Sequence, residues 1–107
     1  MPQSVEYAVK PPDLAKIAAI VQDRRKELAR DYRVAEIGVF GSCARGEAAA
    51  SSDIDILVEF DRPVGFFKYL ELEEQLGQWL GGQVDLVTKA ALKPHIGRRI
   101  LDEVIML

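Results

Sequence analysis

Apolar residues recur along this chain in two rhythms, and the switches between them mark out the elements. From Leu14 the positions Ile17, Ala18, Val21 and Leu28 fall at three- and four-residue steps with charges between them. That spacing predicts an amphipathic helix running to about Arg30, with Asp13 as its N-cap. Residues 1–12 show no sustained period, end in Pro11-Pro12 and read as a loose lead-in, so the folded unit is 13–107. Val34 to Phe40 is short, apolar and β-branched at several positions, and it stops at Gly41; it reads as a strand. Ser42 to Ala50 is Ala-rich and reads as a short helix with Ser42 at its start, broken by Ser51-Ser52. Asp53 to Phe60 then alternates strictly. Ile54, Ile56, Val58 and Phe60 share one face, and Asp53, Asp55, Leu57 and Glu59 share the other.

After the turn at Asp61-Arg62-Pro63, the residues Phe66, Phe67, Leu70, Leu76, Trp79 and Leu80 mark a second amphipathic helix, closed by Gly81-Gly82. Val84 to Thr88 reads as a third strand. Pro94 suits the first turn of a last helix carrying Ile96, Ile100 and Leu101, and Val104 to Leu107 reads as a short closing strand. The order α-β-α-β-α-β-α-β, without repeats or an internal linker, implies one α/β (α+β) domain: a sheet of about four strands with helices packed on it. Periodicity leaves the strand directions open.

The chemistry begins at Asp53 and Asp55. Two apart on a strand they project from the same face, with Cα atoms roughly 6.5–7 Å apart. Like charges that close repel when partly buried, and a bound cation removes the conflict. Magnesium suits, because it takes oxygen ligands through one or two carboxylates plus phosphate. The pair alone is weak, since eight Asp in 107 residues produce D-x-D by chance roughly 0.6 times per chain. The polar face of a half-solvated strand would look the same.

Three further features add weight. Gly41-Ser42 stands where a strand hands over to a helix, a place where free N–H groups meet phosphate and Gly allows close approach, although Ser is also an ordinary cap. Asp85 lies inside the apolar run Val84-Asp85-Leu86-Val87, where an unpaired carboxylate is disfavoured. If that strand neighbours the Asp53 strand, Asp85 becomes a third carboxylate at the same place; otherwise it is an edge-strand charge. Arg45, three residues after Ser42, is within reach of a triphosphate or an acidic neighbour. Gly41 to Gly46 has the glycine spacing of a P-loop, but Glu47-Ala48 stands where Lys-Ser or Lys-Thr is required, so that reading fails.

Taken together, Gly41-Ser42-Cys43-Ala44-Arg45-Gly46-Glu47, Ser52-Asp53-Ile54-Asp55-Ile56-Leu57-Val58-Glu59-Phe60 and Val84-Asp85-Leu86-Val87 resemble the minimal nucleotidyltransferase (MNT) domain, of the DNA polymerase β-like superfamily. The resemblance runs from the first helix through Leu92-Lys93-Pro94-His95-Ile96 to Ile100-Leu101-Asp102-Glu103. It implies the polymerase β-like nucleotidyltransferase fold with a mixed sheet. By resemblance Gly41 and Ser42 hold nucleotide phosphates, Asp53 and Asp55 bind Mg2+, and Asp85 completes the acidic, catalytic triad; Arg45 stays a nucleotide-binding candidate by its position, with a surface helix charge as the other reading. The implied reaction is attack of a hydroxyl on the α-phosphate of ATP with pyrophosphate leaving, assisted by two metal ions. Small members of that family are antitoxins that add AMP to a tyrosine of a HEPN-domain ribonuclease toxin. The alternatives are an antitoxin that only covers its toxin, and a homodimer that nucleotidylates a small molecule.

Charge and composition narrow the partners. With 14 Lys and Arg against 17 Asp and Glu the formal net charge is −3 and the pI is about 5.1. Non-specific nucleic-acid binders generally show a pI above about 9, so a protein partner and a nucleotide fit better than a nucleic-acid track. The basic clusters Arg24-Arg25-Lys26 and Arg98-Arg99 read as solvated helix faces. Cys43 is the single cysteine, which excludes an internal disulfide and reads as a small residue, not a nucleophile. His95 reads as a capping or exposed residue. Trp79 and Phe66-Phe67 read as core or partner surface, their helix being the first candidate for an interface if it is exposed. No membrane segment is expected, and the expected location is the cytoplasm.

Overall fold

The computed structural model describes residues 13–48, 52–92 and 94–107, the side chains of 94–96 excepted. The lead-in expected for residues 1–12, the end of the helix expected at Ala49-Ala50, and the His95 side chain lie outside the described residues. Asp13 caps the first helix as expected, its Oδ1 accepting the Ala15 N–H at 2.9 Å. The expected single helix is two: α1 (Leu14–Asp23) and α2 (Arg25–Tyr32), parted at Arg24 with φ −102° and ψ 9°. Ile17, Val21, Leu28 and Tyr32 are all buried across the break. The apolar stripe is therefore continuous, and periodicity has no means of registering the interruption.

Arg24 and Lys26 of the basic cluster at the break are exposed, as expected of a solvated face, while Arg25 is half-buried. Arg24 lies 5.0 Å from the centroid of the Trp79 ring, a cation–π contact, and the Arg25 guanidinium donates to the Leu107 carbonyl at the chain end.

Strands β1 (Val34–Phe40), β2 (Ile54–Phe60), β3 (Val84–Thr88) and β4 (Ile105–Met106) form one mixed sheet in the order β3-β2-β1-β4. β1 runs antiparallel to β2 and β4, while β2 and β3 are parallel. The parallel pair is joined by the 15-residue helix α4 (Phe66–Leu80), the crossover such a pair needs. Gly81, at φ 73°, ends that helix in the left-handed conformation. Leu72 and Leu76 of α4 are fully buried against Ile54, Ile56, Val58, Ile37 and Val39. At the outer edge of β3 the Leu86 N–H donates to Glu73 Oε2 at 2.9 Å, and the Tyr69 hydroxyl donates to the Leu86 carbonyl. Two side chains of α4 thus occupy a sheet edge that would otherwise offer itself to another strand.

The chain closes with α5 (Pro94–Glu103) and β4. Gly38 makes room for that return, since a Cβ there would stand 2.7 Å from Val104 Cγ2 and 3.0 Å from the Ile105 carbonyl. The Leu107 N–H donates to the Ile37 carbonyl at 2.9 Å. No helix among the described residues is long and apolar enough to cross a membrane.

Phe66 and Phe67 are not core: they are 67% and 82% exposed and meet edge-on at 5.9 Å. They occupy the first turn of α4, ahead of the turns whose Leu72 and Leu76 reach the sheet. Leu72→Ala empties a fully buried position of that crossover and should cost about 2–5 kcal/mol, read as a lowered urea midpoint with an unchanged slope.

Candidate active site

β1 ends at Phe40, and the chain enters α3 (Gly41–Arg45) directly. Gly41 has φ 73°, a backbone region that a side chain makes costly. A Cβ on Gly41 would lie 2.1 Å from Asp55 Oδ2, so the glycine lets this backbone lie against the Asp55 carboxylate. Ser42 is the second residue of α3; the N-cap position is Phe40, with no side-chain cap bond. The expectation of Ser42 at the helix start is therefore corrected by one residue, and a capping role is not what it performs. The helix is also shorter than expected, because Gly46 at φ 73° ends it and the Glu47 N–H turns back to the Ser42 carbonyl at 2.9 Å.

The parallel register of β2 and β3 sets Asp55 directly beside Asp85, with neighbouring strands about 4.8 Å apart. The juxtaposition that the sequence made conditional is thus realised. Asp53 comes just before β2, and both it and Asp85 are exposed, whereas Asp55 is half-buried. Burial pushes the Asp55 carboxyl above its ordinary range, and the charges of Asp85 and Asp53 push it further; Arg45 opposes them. Among the described residues no three His, Cys, Asp or Glu side chains come together closely enough to hold a metal ion. The arrangement is an open acidic surface, short of positive charge.

Arg45 is held by two carboxylates: its Nε donates to Glu47 Oε1 at 2.8 Å and its Nη1 to Glu103 Oε2 at 3.0 Å. These contacts, that to Glu47 first, raise the guanidinium pKa. Glu103 also accepts the Gly41 N–H at 2.9 Å through Oε1, and that bond holds its carboxyl below the usual range. Sequence spacing gave no sign of Glu103, which lies 62 residues from Gly41. Cys43 is buried, and burial followed by the charge of Asp55 pushes its thiol pKa up, the opposite of what an activated nucleophile requires. A groove of about 600 Å³ alongside α3 is lined by Leu14, Cys43, Ala44 and Arg45 and includes none of the three carboxylates.

The family described as the nucleotidyltransferase domain matches residues 11–107. The chain belongs to that family. This nucleotidyltransferase is 48% identical over 92 residues to the protein adenylyltransferase MntA of Thermococcus cleftensis, covering 86% of this chain and 93% of the relative. A solved structure assigned as a minimal nucleotidyltransferase superposes with a TM-score of 0.77 at 35% identity, over 89% of this chain and 96% of the other. A toxin–antitoxin crystal structure with AMP-PNP superposes at 0.66 and 25% identity, over 79% of this chain and 70% of that one. The mixed four-stranded sheet is thus the minimal nucleotidyltransferase fold.

Two outcomes follow from the geometry. Gly41→Ala must displace Asp55 and strain the backbone by about 1–2 kcal/mol. Nucleotidyl transfer should fall about 10²-fold, as for an active site misplaced by an ångström, while the melting temperature drops only modestly. The second concerns pH. The folded Asp55 carboxyl holds its proton more tightly than an unfolded one, whose value is 3.8. Its contribution to stability is full below that value and is lost as pH rises through the raised folded value. Asp55→Asn should therefore raise the melting temperature of the metal-free protein at pH 7 and flatten that loss, as thermal melts across pH will show.

Proposed function

We propose that this nucleotidyltransferase moves AMP from ATP to a hydroxyl of a partner protein, a tyrosine of a HEPN toxin, and thereby acts as its antitoxin. The observation that carries this reading is Asp55 beside Asp85, in register, with the Gly41 backbone against Asp55. A half-buried carboxyl pushed upward by two others is a donor set that suits a hard divalent cation. Asp53, Asp55 and Asp85 would hold Mg2+, two ions in our reading. When bound, Mg2+ neutralises phosphate charge and lowers the pKa of the attacking hydroxyl.

The protein's own groups do the rest. Gly41 lets the backbone come close, its own N–H being taken by Glu103, while Ser42 brings a hydroxyl donor to the phosphates and Arg45 brings charge to the triphosphate. The acceptor oxygen forms its bond to the α-phosphorus as the bond to the β-bridging oxygen breaks, and pyrophosphate carries away the electron pair. The acceptor proton passes to Asp85 or to water. Most of the acceleration comes from positioning and charge neutralisation.

The similarity to a protein adenylyltransferase supports a protein acceptor, and that to an antitoxin seated with its toxin and AMP-PNP supports the partner and the adenine nucleotide. So does the openness of the acidic surface, which a macromolecular acceptor would cover. Exposed Phe66, Phe67 and Leu70 on α4 offer that partner an apolar surface. The setting is the cytoplasm, where ATP is available.

The test is to mix the protein, ATP and Mg2+ with the HEPN protein and weigh the latter. A gain of one or more AMP units is expected. The double variant Asp53→Asn with Asp55→Asn should lower the rate by about 10²–10³-fold or more while remaining folded. A stable complex of unchanged mass, or undiminished transfer by the double variant, overturns the reading.

A further inference from the structure

Glu103 ends α5, far in sequence from the loop it touches, yet it joins two groups of that loop. Oε1 accepts the Gly41 N–H and Oε2 accepts from Arg45 Nη1. The carboxylate is a two-point brace between the C-terminal helix and both ends of α3. Its side chain is 32% exposed, so it is neither sealed in the core nor free in solvent.

A guanidinium carries five N–H donors in a rigid fork. Glu47 takes the Nε hydrogen and Glu103 one at Nη1; neither contact uses Nη2. The two carboxylates therefore fix the plane of Arg45 without covering all of its donors. At Gly41 the same carboxylate orients a peptide whose positive φ and contact with Asp55 leave little latitude.

We propose that Glu103 is a positioning residue for nucleotide binding, locking the Gly41 peptide and the Arg45 guanidinium in the relative placement that receives the triphosphate. This rests on the reading of the Gly41-Ser42 turn and Arg45 as the phosphate-binding groups, the Gly41 N–H itself being the anchor that Glu103 holds. A pre-set Arg loses less side-chain entropy when phosphate arrives, and that gain appears as affinity. The opposing effect is electrostatic, because Glu103 adds negative charge beside the carboxylates and beside any phosphate. The two effects change nucleotide affinity in opposite directions, so one measurement separates them.

Calorimetry with Mg2+ and an ATP analogue blocked at the α–β bridge reads affinity without turnover. Glu103→Ala should weaken binding about tenfold, the order of the cost of ordering one rotamer-rich side chain on binding. The KM for ATP should rise correspondingly, and kcat should change less. Glu103→Gln keeps the shape and one acceptor and should lose less affinity than Glu103→Ala. Arg45→Ala should weaken binding as well, and the double variant should be little weaker than Arg45→Ala alone, because the pair acts as a unit.

Unchanged or tighter binding by Glu103→Ala and Glu103→Gln overturns the proposal, tighter binding marking Glu103 as a competitor of phosphate. A lowered melting temperature with unchanged affinity and KM overturns it in favour of a purely structural role, and strictly additive losses in the double variant overturn it too. Unchanged affinity in Arg45→Ala removes the phosphate-binding role of Arg45 and this proposal with it. Weakened binding by Arg45→Ala with wild-type binding by both Glu103 variants removes this proposal alone.

Discussion

Everything at the acidic surface depends on the parallel pairing of β2 with β3, because that register alone sets Asp55 beside Asp85. The direction of β3 is enforced from the other face of the sheet. α4 must carry the chain back across before β3 begins, and it is held there by Leu72 and Leu76, both fully buried. Apolar burial at roughly 25 cal/mol per Å² is what holds two like charges next to each other. Asp55 carries the electrostatic cost in a carboxyl that resists ionising. A domain built for stability alone would place a neutral residue there, the familiar conflict between a strained functional group and a relaxed fold.

The second constraint is how closely backbone can approach that carboxylate. At Gly41 the positive φ and the missing Cβ serve one purpose, bringing peptide groups against Asp55. The chain end completes the arrangement, since Gly38 admits the C-terminal segment and Leu107 bonds back to Ile37. With that segment comes Glu103, which ties the loop to α5. Residues from α3, β2, β3 and α5 thus meet at one end of the sheet.

Periodicity was sufficient for elements packed on one face. The alternation from Ile54 to Phe60, the stop at Gly81 and the closing strand all rest on local rules that tertiary structure did not override. Asp85 was legible because a carboxylate in an apolar strand is locally anomalous. What escaped was whatever local pattern does not encode. The break at Arg24 leaves the apolar stripe intact, and the early end of α3 depends on Gly46 adopting the left-handed conformation. Glu103 looks like any charge at a helix end until the fold brings it to Gly41. Phe66 and Phe67 illustrate the opposite error, because helical spacing shows that residues share a face without showing whether anything covers it.

Exposure at the first turn of α4 and exposure of Asp53 and Asp85 bear on the same issue, the size of the acceptor. An enzyme for a small alcohol must exclude water with its own walls, because desolvation strengthens the electrostatics on which transfer depends. Here the half-buried Asp55 is flanked by two exposed carboxylates, and the groove beside α3 does not extend to them. Water is therefore best excluded by the acceptor itself. A protein can cover the carboxylates while presenting one hydroxyl to them, and apolar surface on the enzyme would help to hold it there. Phe66 and Phe67 lie at the opposite end of α4 from the start of β3, so they serve only an acceptor large enough to reach from the carboxylates to the far end of the sheet, which a protein is and a small alcohol is not.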